Sequence, residues 1–365
     1  MQIAFLTMGK DIGGAAQDVI TLSQGLHKRG HNVFVISSAG VMDKELRDTG
    51  VIFIDAPLYT RNPLGLWFVS RKIRRIILDN KIEILNPQGM YTAMASWLAS
   101  FGFGSLNFKI ITTIHMISSL KLYKYTWVLN LLSKHIVTES NCERNRLIGG
   151  GVKKKKITVI PNSVDMDRFS RIKSKPVLRD EYGLKSSTLC FGIIARLSPE
   201  KCHLDFVEAA KITHREYNDS KFFIVGDGPM RPRILNAIQG VEDFIIMTGM
   251  RRDIPNVLSS LDCFVLSSEV ESLPLSIREA MSMSLPVITT DVGGVREAVL
   301  EGITGLVVPR HNPEALAQAM IKIAKDSDIR ILLGFRGREL CKLNFELHNW
   351  SSKTEDLFTK ISNEN

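Results

Sequence analysis

Two successive series of strand and helix patterns constrain this chain more than any other feature. Short apolar or β-branched runs stand at 3–7, 33–37, 52–54, 82–85, 110–113 and 136–138. Each is apolar throughout, as a strand buried on both faces must be. Helical patterns such as 15–28 and 65–80 lie between them. Alternation of this kind implies right-handed crossovers and a parallel sheet. After Lys153, Lys154, Lys155 and Lys156 comes a run at 157–160, closed by the turn signal Pro161-Asn162. The polar stretch 171–184 reads as a linker. A second series follows at 190–194, 221–225, 244–247, 263–266, 286–289 and 305–308. The expected fold class is therefore α/β, with two doubly wound domains over 1–170 and 171–344. The 365 residues suffice for two cores. Ligands of open α/β sheets bind beyond the carboxyl ends of the strands. With two such domains facing each other, the cleft between them is the natural site.

Charge divides the chain unequally. Residues 1–160 hold 21 Lys and Arg against 10 Asp and Glu, whereas the remaining 205 hold 26 against 28. The front half is therefore expected to meet an anionic partner. Five scattered cysteines without a CxxC pair suggest neither a zinc site nor a disulfide framework, and fit a reducing cytosol. The N-terminus lacks a basic n-region and reads as a strand. No run of 18 apolar residues occurs, so a membrane would be met from its surface, on the cytoplasmic side. In 64–80, Leu66, Val69, Ile73, Ile76 and Ile77 share one helical face, and Arg71, Lys72, Arg74 and Arg75 crowd the rest. The segment 117–133 adds Lys121, Tyr123, Lys124, Tyr125 and Trp127 among leucines. Such helices suit an anionic membrane surface. A crossover helix packed on a parallel sheet shows the same apolar stripe. No nucleic-acid-binding motif is present, so nucleic acid is not an expected partner.

Candidate chemistry gathers where strands end. Gly13 and Gly14 follow the first strand and open a helix, where small residues and free amides favour an anion, although a tight turn explains them equally. Arg196 and Lys201 leave the first strand of the second series five residues apart. They are able to grip a diphosphate, Arg as a fork and Lys as a point charge, or to lie in a solvated loop. Gly226, Asp227 and Gly228 at the next strand end allow close approach of a base or ribose, or form a plain turn. Glu271 and Glu279 are the strongest pair. Glu271 lies after the strand 263–266 and Glu279 on the helix that follows, with Pro274 fitting its first turn. Two carboxylates there suit a sugar and a ribose, while Ser272, Leu273, Pro274 and Leu275 would offer backbone amides. Glu269 is set aside by its spacing. No residue is an obvious nucleophile, and no Asp-x-Asp metal motif stands at a strand end.

These motifs, in this order, resemble the family 4 or group 1 retaining glycosyltransferases. The resemblance runs nearly end to end. It includes the Gly13-Gly14 loop, Thr113-Ile114-His115, Pro161-Asn162-Ser163-Val164-Asp165, Arg196 with Lys201, Gly226-Asp227-Gly228-Pro229, Glu271 with Glu279, and Gly293-Gly294-Val295-Arg296-Glu297. It implies the GT-B fold, two Rossmann-like domains with a C-terminal helix, here 345–365, that crosses back to the first through Trp350 and Phe358. It further implies that Arg196 and Lys201 bind the donor diphosphate and stabilise the departing nucleotide. Glu271 would hold the donor sugar, Glu279 the ribose, and Gly14 the phosphate. His115 would stand near the donor sugar and acceptor; apart from the resemblance it reads as a core-packing histidine.

The resulting expectation is a metal-independent, cofactor-free transferase. It would move a sugar from a nucleotide-sugar donor to a lipid-linked or glycan acceptor in bacterial surface-glycan synthesis, with retained configuration. A sugar-nucleotide epimerase of similar architecture is one alternative, though it would need a further acid/base set. A non-catalytic membrane-associated assembly partner is another. The chain departs from the family pattern at Ser163, Ser272 and Cys202, where glycine is common. It departs again at Asn86-Pro87-Gln88, where a histidine is frequent.

Overall fold

A computed structural model describes residues 1–8, 14–56, 58, 62–101, 108–116 and 119–364. The chain forms two units, Met1–Asn162 with Leu347–Asn365, and Ser163–Glu346. In the first, seven parallel strands are β1 (Gln2–Leu6), β2 (Asn32–Ser37), β3 (Ile52–Asp55), β4 (Ile84–Pro87), β5 (Lys109–Ile114), β6 (His135–Thr138) and β7 (Ile157–Val159). Their order is β3-β2-β1-β4-β5-β6-β7. In the second, six more are β8 (Leu189–Ile194), β9 (Ser220–Val225), β10 (Ile245–Gly249), β11 (Cys263–Leu266), β12 (Val287–Thr290) and β13 (Gly305–Val308), ordered β10-β9-β8-β11-β12-β13. Every strand run expected from the sequence is present, with ends displaced by no more than two residues. The α/β fold class with two doubly wound sheets is thereby established.

Burial explains why the strands are apolar without alternation. In β1, Ile3 and Phe5 face Val19, Leu26 and the C-terminal residues Trp350, Phe358 and Ile361. Ala4 and Leu6 face Val69, Ile73, Ile76 and Ile77 of the helix Pro63–Asp79. Side chains alternate across a strand, so both faces need apolar residues when helices cover both. The apolar stripe of that helix is thus sheet contact, as a crossover helix requires. Its outer side leaves Leu64, Trp67 and Phe68 exposed beside its basic residues.

The C-terminal helix Leu347–Ser362 completes the first unit. Glu355 pairs with Arg29 at 2.5 Å and His31 at 2.9 Å. A Cβ on Gly25 would meet Leu347 at 3.1 Å, so glycine lets the two helices close up. Trp350 and Phe358 are buried, as anticipated.

The expected linker is not one. Residues 171–184 contain a 3-10 turn at Arg171–Lys173 and a helix at Val177–Glu181. Leu178 is fully buried with Phe223, Leu258 and Leu261, and Arg179 pairs with Asp262 at 2.5 Å. The first unit ends at Asn162, earlier than residue 170. Val164 already belongs to the second, its N–H donating to the Phe345 carbonyl at 2.9 Å.

Candidate active site

In the second unit the candidate residues stand at the carboxyl ends of parallel strands, where helix dipoles and unpaired amides collect. Arg196 and Lys201 follow β8. Arg196 is exposed and Lys201 half-buried. Lys201 Nζ donates to Glu271 Oε1 at 2.6 Å, and Ser268 Oγ donates to the same oxygen at 2.6 Å. The Glu271 side chain is 9% exposed. A nearly buried carboxylate thus meets a cation that retains solvent access and two further donating protons.

Glycines hold this arrangement by close backbone approach. Gly293 has φ +55°, and a Cβ there would lie 1.6 Å from the Glu271 carbonyl oxygen. Gly294 N–H donates to the Ser272 carbonyl at 2.9 Å. Gly226 and Gly228 perform the same service for Arg196. Their would-be Cβ atoms fall 2.1 Å from the Ala195 oxygen and 2.5 Å from the Leu197 oxygen. The immediate neighbour that demands glycine at these two positions is the loop carrying Arg196. Asp227 Oδ1 accepts from Gly228 N–H at 2.7 Å.

The helix Leu275–Ser282 begins one residue after Pro274, which is its cap rather than part of its first turn. The cap contributes no side-chain hydrogen bond, and a helix N-terminus favours an anion. Glu279 is half-buried on this helix. The neighbouring Arg278 is fully buried and donates to the Leu273 carbonyl at 3.0 Å, fixing the loop of Ser272, Leu273 and Pro274 from below. The sequence contained the signal, since Arg278 interrupts the apolar face that Ile277 and Met281 define. His203, buried close by in sequence, is held neutral. Burial first, and then the Lys201 charge, push its pKa down to about 4.

In the first unit His115 follows β5 and joins a network that sequence reasoning did not find. Its Nδ1 bonds Glu139 after β6, and Nε2 lies 2.8 Å from Gln88 Oε1 after β4. Asp18 Oδ2 is 3.9 Å from Nδ1 and accepts from Asn162 Nδ2 at 2.6 Å. Gln88 Nε2 donates to Asn86 Oδ1, so Gln88 presents its oxygen to the ring. Acceptors at both ring nitrogens favour the imidazolium form. Burial disfavours that form, but the charge and hydrogen bond of Glu139, with Asp18, outweigh it and raise the His115 pKa. A cavity of about 20 Å³, room for one water, opens among Asp18, Gln88, His115 and Asn162. Of the segment Asn86-Pro87-Gln88, where the resembled family frequently has a histidine, Gln88 touches His115.

Gly14 opens the helix Gly14–Lys28, and no described atom lies within 4 Å of a Cβ placed there. Gly13 lies outside the described residues, as do the side chains of Lys121, Tyr123, Lys124 and Tyr125. Arg196, Lys201, Glu271 and Glu279 all belong to the second unit, His115 and Gly14 to the first.

Both halves of the chain resemble known protein families. Residues 12–168 match the family described as Glycosyltransferase Family 4, and residues 188–326 match Glycosyl transferases group 1. The Escherichia coli UDP-Gal:alpha-D-GlcNAc-diphosphoundecaprenol alpha-1,3-galactosyltransferase is 34% identical over 183 residues, 48% of this chain and 47% of that enzyme. That match spans about half the length of the enzyme. The N-acetyl-alpha-D-glucosaminyl L-malate synthase of Bacillus anthracis is 25% identical over 98% of this chain and 96% of its own. Anabaena HepE in complex with UDP-glucose superposes with TM-score 0.86 at 20% identity, covering 99% of this chain and all of that one.

Proposed function

The chain belongs to the group 1, family 4 glycosyltransferases of GT-B fold, and on that premise we propose that it transfers one sugar, with retained configuration, from a nucleotide diphosphate donor to a lipid-linked or glycan acceptor. Arg196 and Lys201 bind the diphosphate. The bond between the anomeric carbon and the phosphate oxygen breaks as an acceptor hydroxyl attacks from the same face. The leaving phosphate oxygen takes the hydroxyl proton. Negative charge grows on the departing nucleotide, so fixed cations there stabilise the transition state more than the ground state. Glu271 positions the sugar and Glu279 the ribose, with further donor contacts from Gly13, Gly14, Gly226, Asp227, Gly228, Ser272, Leu273, Pro274 and Leu275. No metal or other cofactor enters the reaction.

The observation that carries this reading is the 2.6 Å pairing of Lys201 with Glu271 at the strand ends of the second sheet. A cation beside a carboxylate there supports one group for the phosphates and one for the sugar. The galactosyltransferase relative, whose name specifies UDP-Gal and a diphosphoundecaprenol acceptor, supports UDP and a lipid-linked acceptor as the first pair to test.

The same reading places the protein on the inner face of a bacterial cytoplasmic membrane, in surface-glycan synthesis. No described helix is long and apolar enough to cross a bilayer. Leu64 (74% exposed), Phe68 (64%) and Trp67 (48%) share the outer side of a helix rich in Arg and Lys. Apolar and aromatic groups among cations suit an anionic lipid surface.

Incubation with UDP-sugars and an undecaprenyl-diphosphate-linked acceptor tests the proposal. The expected product carries the donor's anomeric configuration by NMR. An inverted product contradicts the mechanism, and an epimerised nucleotide sugar formed without acceptor contradicts the assignment as a transferase.

A further inference from the structure

Of three described non-glycine residues of the second unit with left-handed backbone conformations, two bring their side chains together. Cys202 (φ +48°) follows Lys201, and His311 (φ +53°) lies in the turn after β13. Backbone outliers of this type persist where the surroundings over-determine them, and they gather at ligand-holding places. Although 109 residues apart, Cys202 Sγ and His311 Nδ1 are 4.0 Å from each other. Glu269 Oε2 is 3.2 Å from His311 Nε2, and Asp205 Oδ2 is 3.3 Å from Nδ1. The sulfur, one ring nitrogen and a Glu269 oxygen lie within 4.8 Å of one another.

A thiol, an imidazole and a carboxylate form a donor set for a borderline-soft divalent ion. Ligand atoms placed tetrahedrally at zinc bond lengths stand roughly 3.3–3.7 Å apart; Cys202 Sγ lies at Nδ1 and Glu269 Oε2 at Nε2, so the exposed imidazole turns to offer one nitrogen to the ion. The backbone beneath is already fixed. Ser267 Oγ donates to the carbonyls of both Lys201 and Cys202 at 3.0 Å, and Glu269 N–H donates to the Glu200 carbonyl at 2.9 Å. His311 is 52% and Glu269 42% exposed, so an ion reaches them from solvent. Glu269, which spacing sets aside for sugar binding, acquires a use.

We infer that Cys202, Glu269 and His311, with Asp205 against the same imidazole, bind a zinc-like divalent transition-metal ion beside Lys201. Three protein donors leave a fourth position to water. The cysteine spacing carried no hint of this site, because its ligands come from three separate strand-end loops.

Cobalt(II) titration of the untagged full-length chain tests the inference, with cobalt as the spectroscopic stand-in for zinc. One equivalent should give a near-ultraviolet thiolate-to-cobalt charge-transfer band that zinc abolishes. Cys202→Gly, which the left-handed backbone accepts without strain, should keep the melting temperature and lose the band. His311→Ala should weaken zinc binding at least about tenfold. Absence of the band in the unaltered chain overturns the inference. So does undiminished zinc affinity in both variants. Loss of zinc binding in His115→Ala, with retention in those two variants, moves the ion to Asp18, His115 and Glu139 and equally overturns it.

Discussion

Glu271 Oε1 receives Lys201 Nζ and Ser268 Oγ at the same distance, 2.6 Å, on a side chain that is 9% exposed. The carboxylate is oriented by two donors before any ligand arrives. A charge-assisted hydrogen bond contributes about 1.5–3 kcal/mol, and preorganised groups cost no reorganisation in the reaction. Ser268→Ala should therefore leave the fold intact and lower transfer by roughly tenfold or more. Kinetics with saturating donor check this; an unchanged kcat contradicts the positioning role of Ser268.

Gly293 is the steric condition for that orientation. An alanine there would drive its Cβ into the Glu271 carbonyl, at 1.6 Å, from a φ of +55°. Gly302 provides the control, with φ +69° and open space around it. Gly302→Ala should cost only the left-handed penalty, about 1–2 kcal/mol. Gly293→Ala should cost more and also weaken donor binding. Thermal melts with and without donor separate the two effects.

His115 supplies a pH dependence whose sign follows from its raised pKa. The folded state holds the proton more tightly than the unfolded chain, so this contribution to stability is complete below the ordinary value of 6.5 and is lost as pH rises through the folded value. Glu139→Gln removes the main charge that opposes burial. The His115 ring resonance should then titrate below 6.5 rather than above it, and the stability loss above 6.5 should vanish. An NMR titration that places His115 at the same pH in both proteins contradicts the network.

The C-terminal helix is structural to the first unit. Phe358 is 1% exposed against Phe5 and Val19, and truncating such a side chain costs about 3–5 kcal/mol. In calorimetry Phe358→Ala should lower the transition of the first unit and leave that of the second in place. Leu343→Ala, at a position 74% exposed, should move neither.

The fold was legible because burial on both sheet faces writes unbroken apolar runs into the strands. Cys263–Leu266 and Gly305–Val308 were legible to the residue. The segment 171–184 was misread because its few apolar residues, Val177, Leu178 and Leu184, show no clear period, and Arg179 docks it on Ser260 and Asp262 about 80 positions away. Lys201 and Glu271 were legible as residue types at strand ends, and the resemblance supplied their roles. Gln88 and Glu139 were not, since each meets His115 only because β4, β5 and β6 lie side by side. The requirement for glycine at 293 was equally hidden, because the atom it must avoid belongs to residue 271.

Isothermal titration of UDP-sugars into the unaltered chain and into Lys201→Ala tests the central claim most directly. The account predicts saturable binding to the first and a loss of roughly 10–100-fold in affinity in the second, with the melting temperature of the ligand-free variant little changed. Equal affinity in a well-folded Lys201→Ala would contradict it.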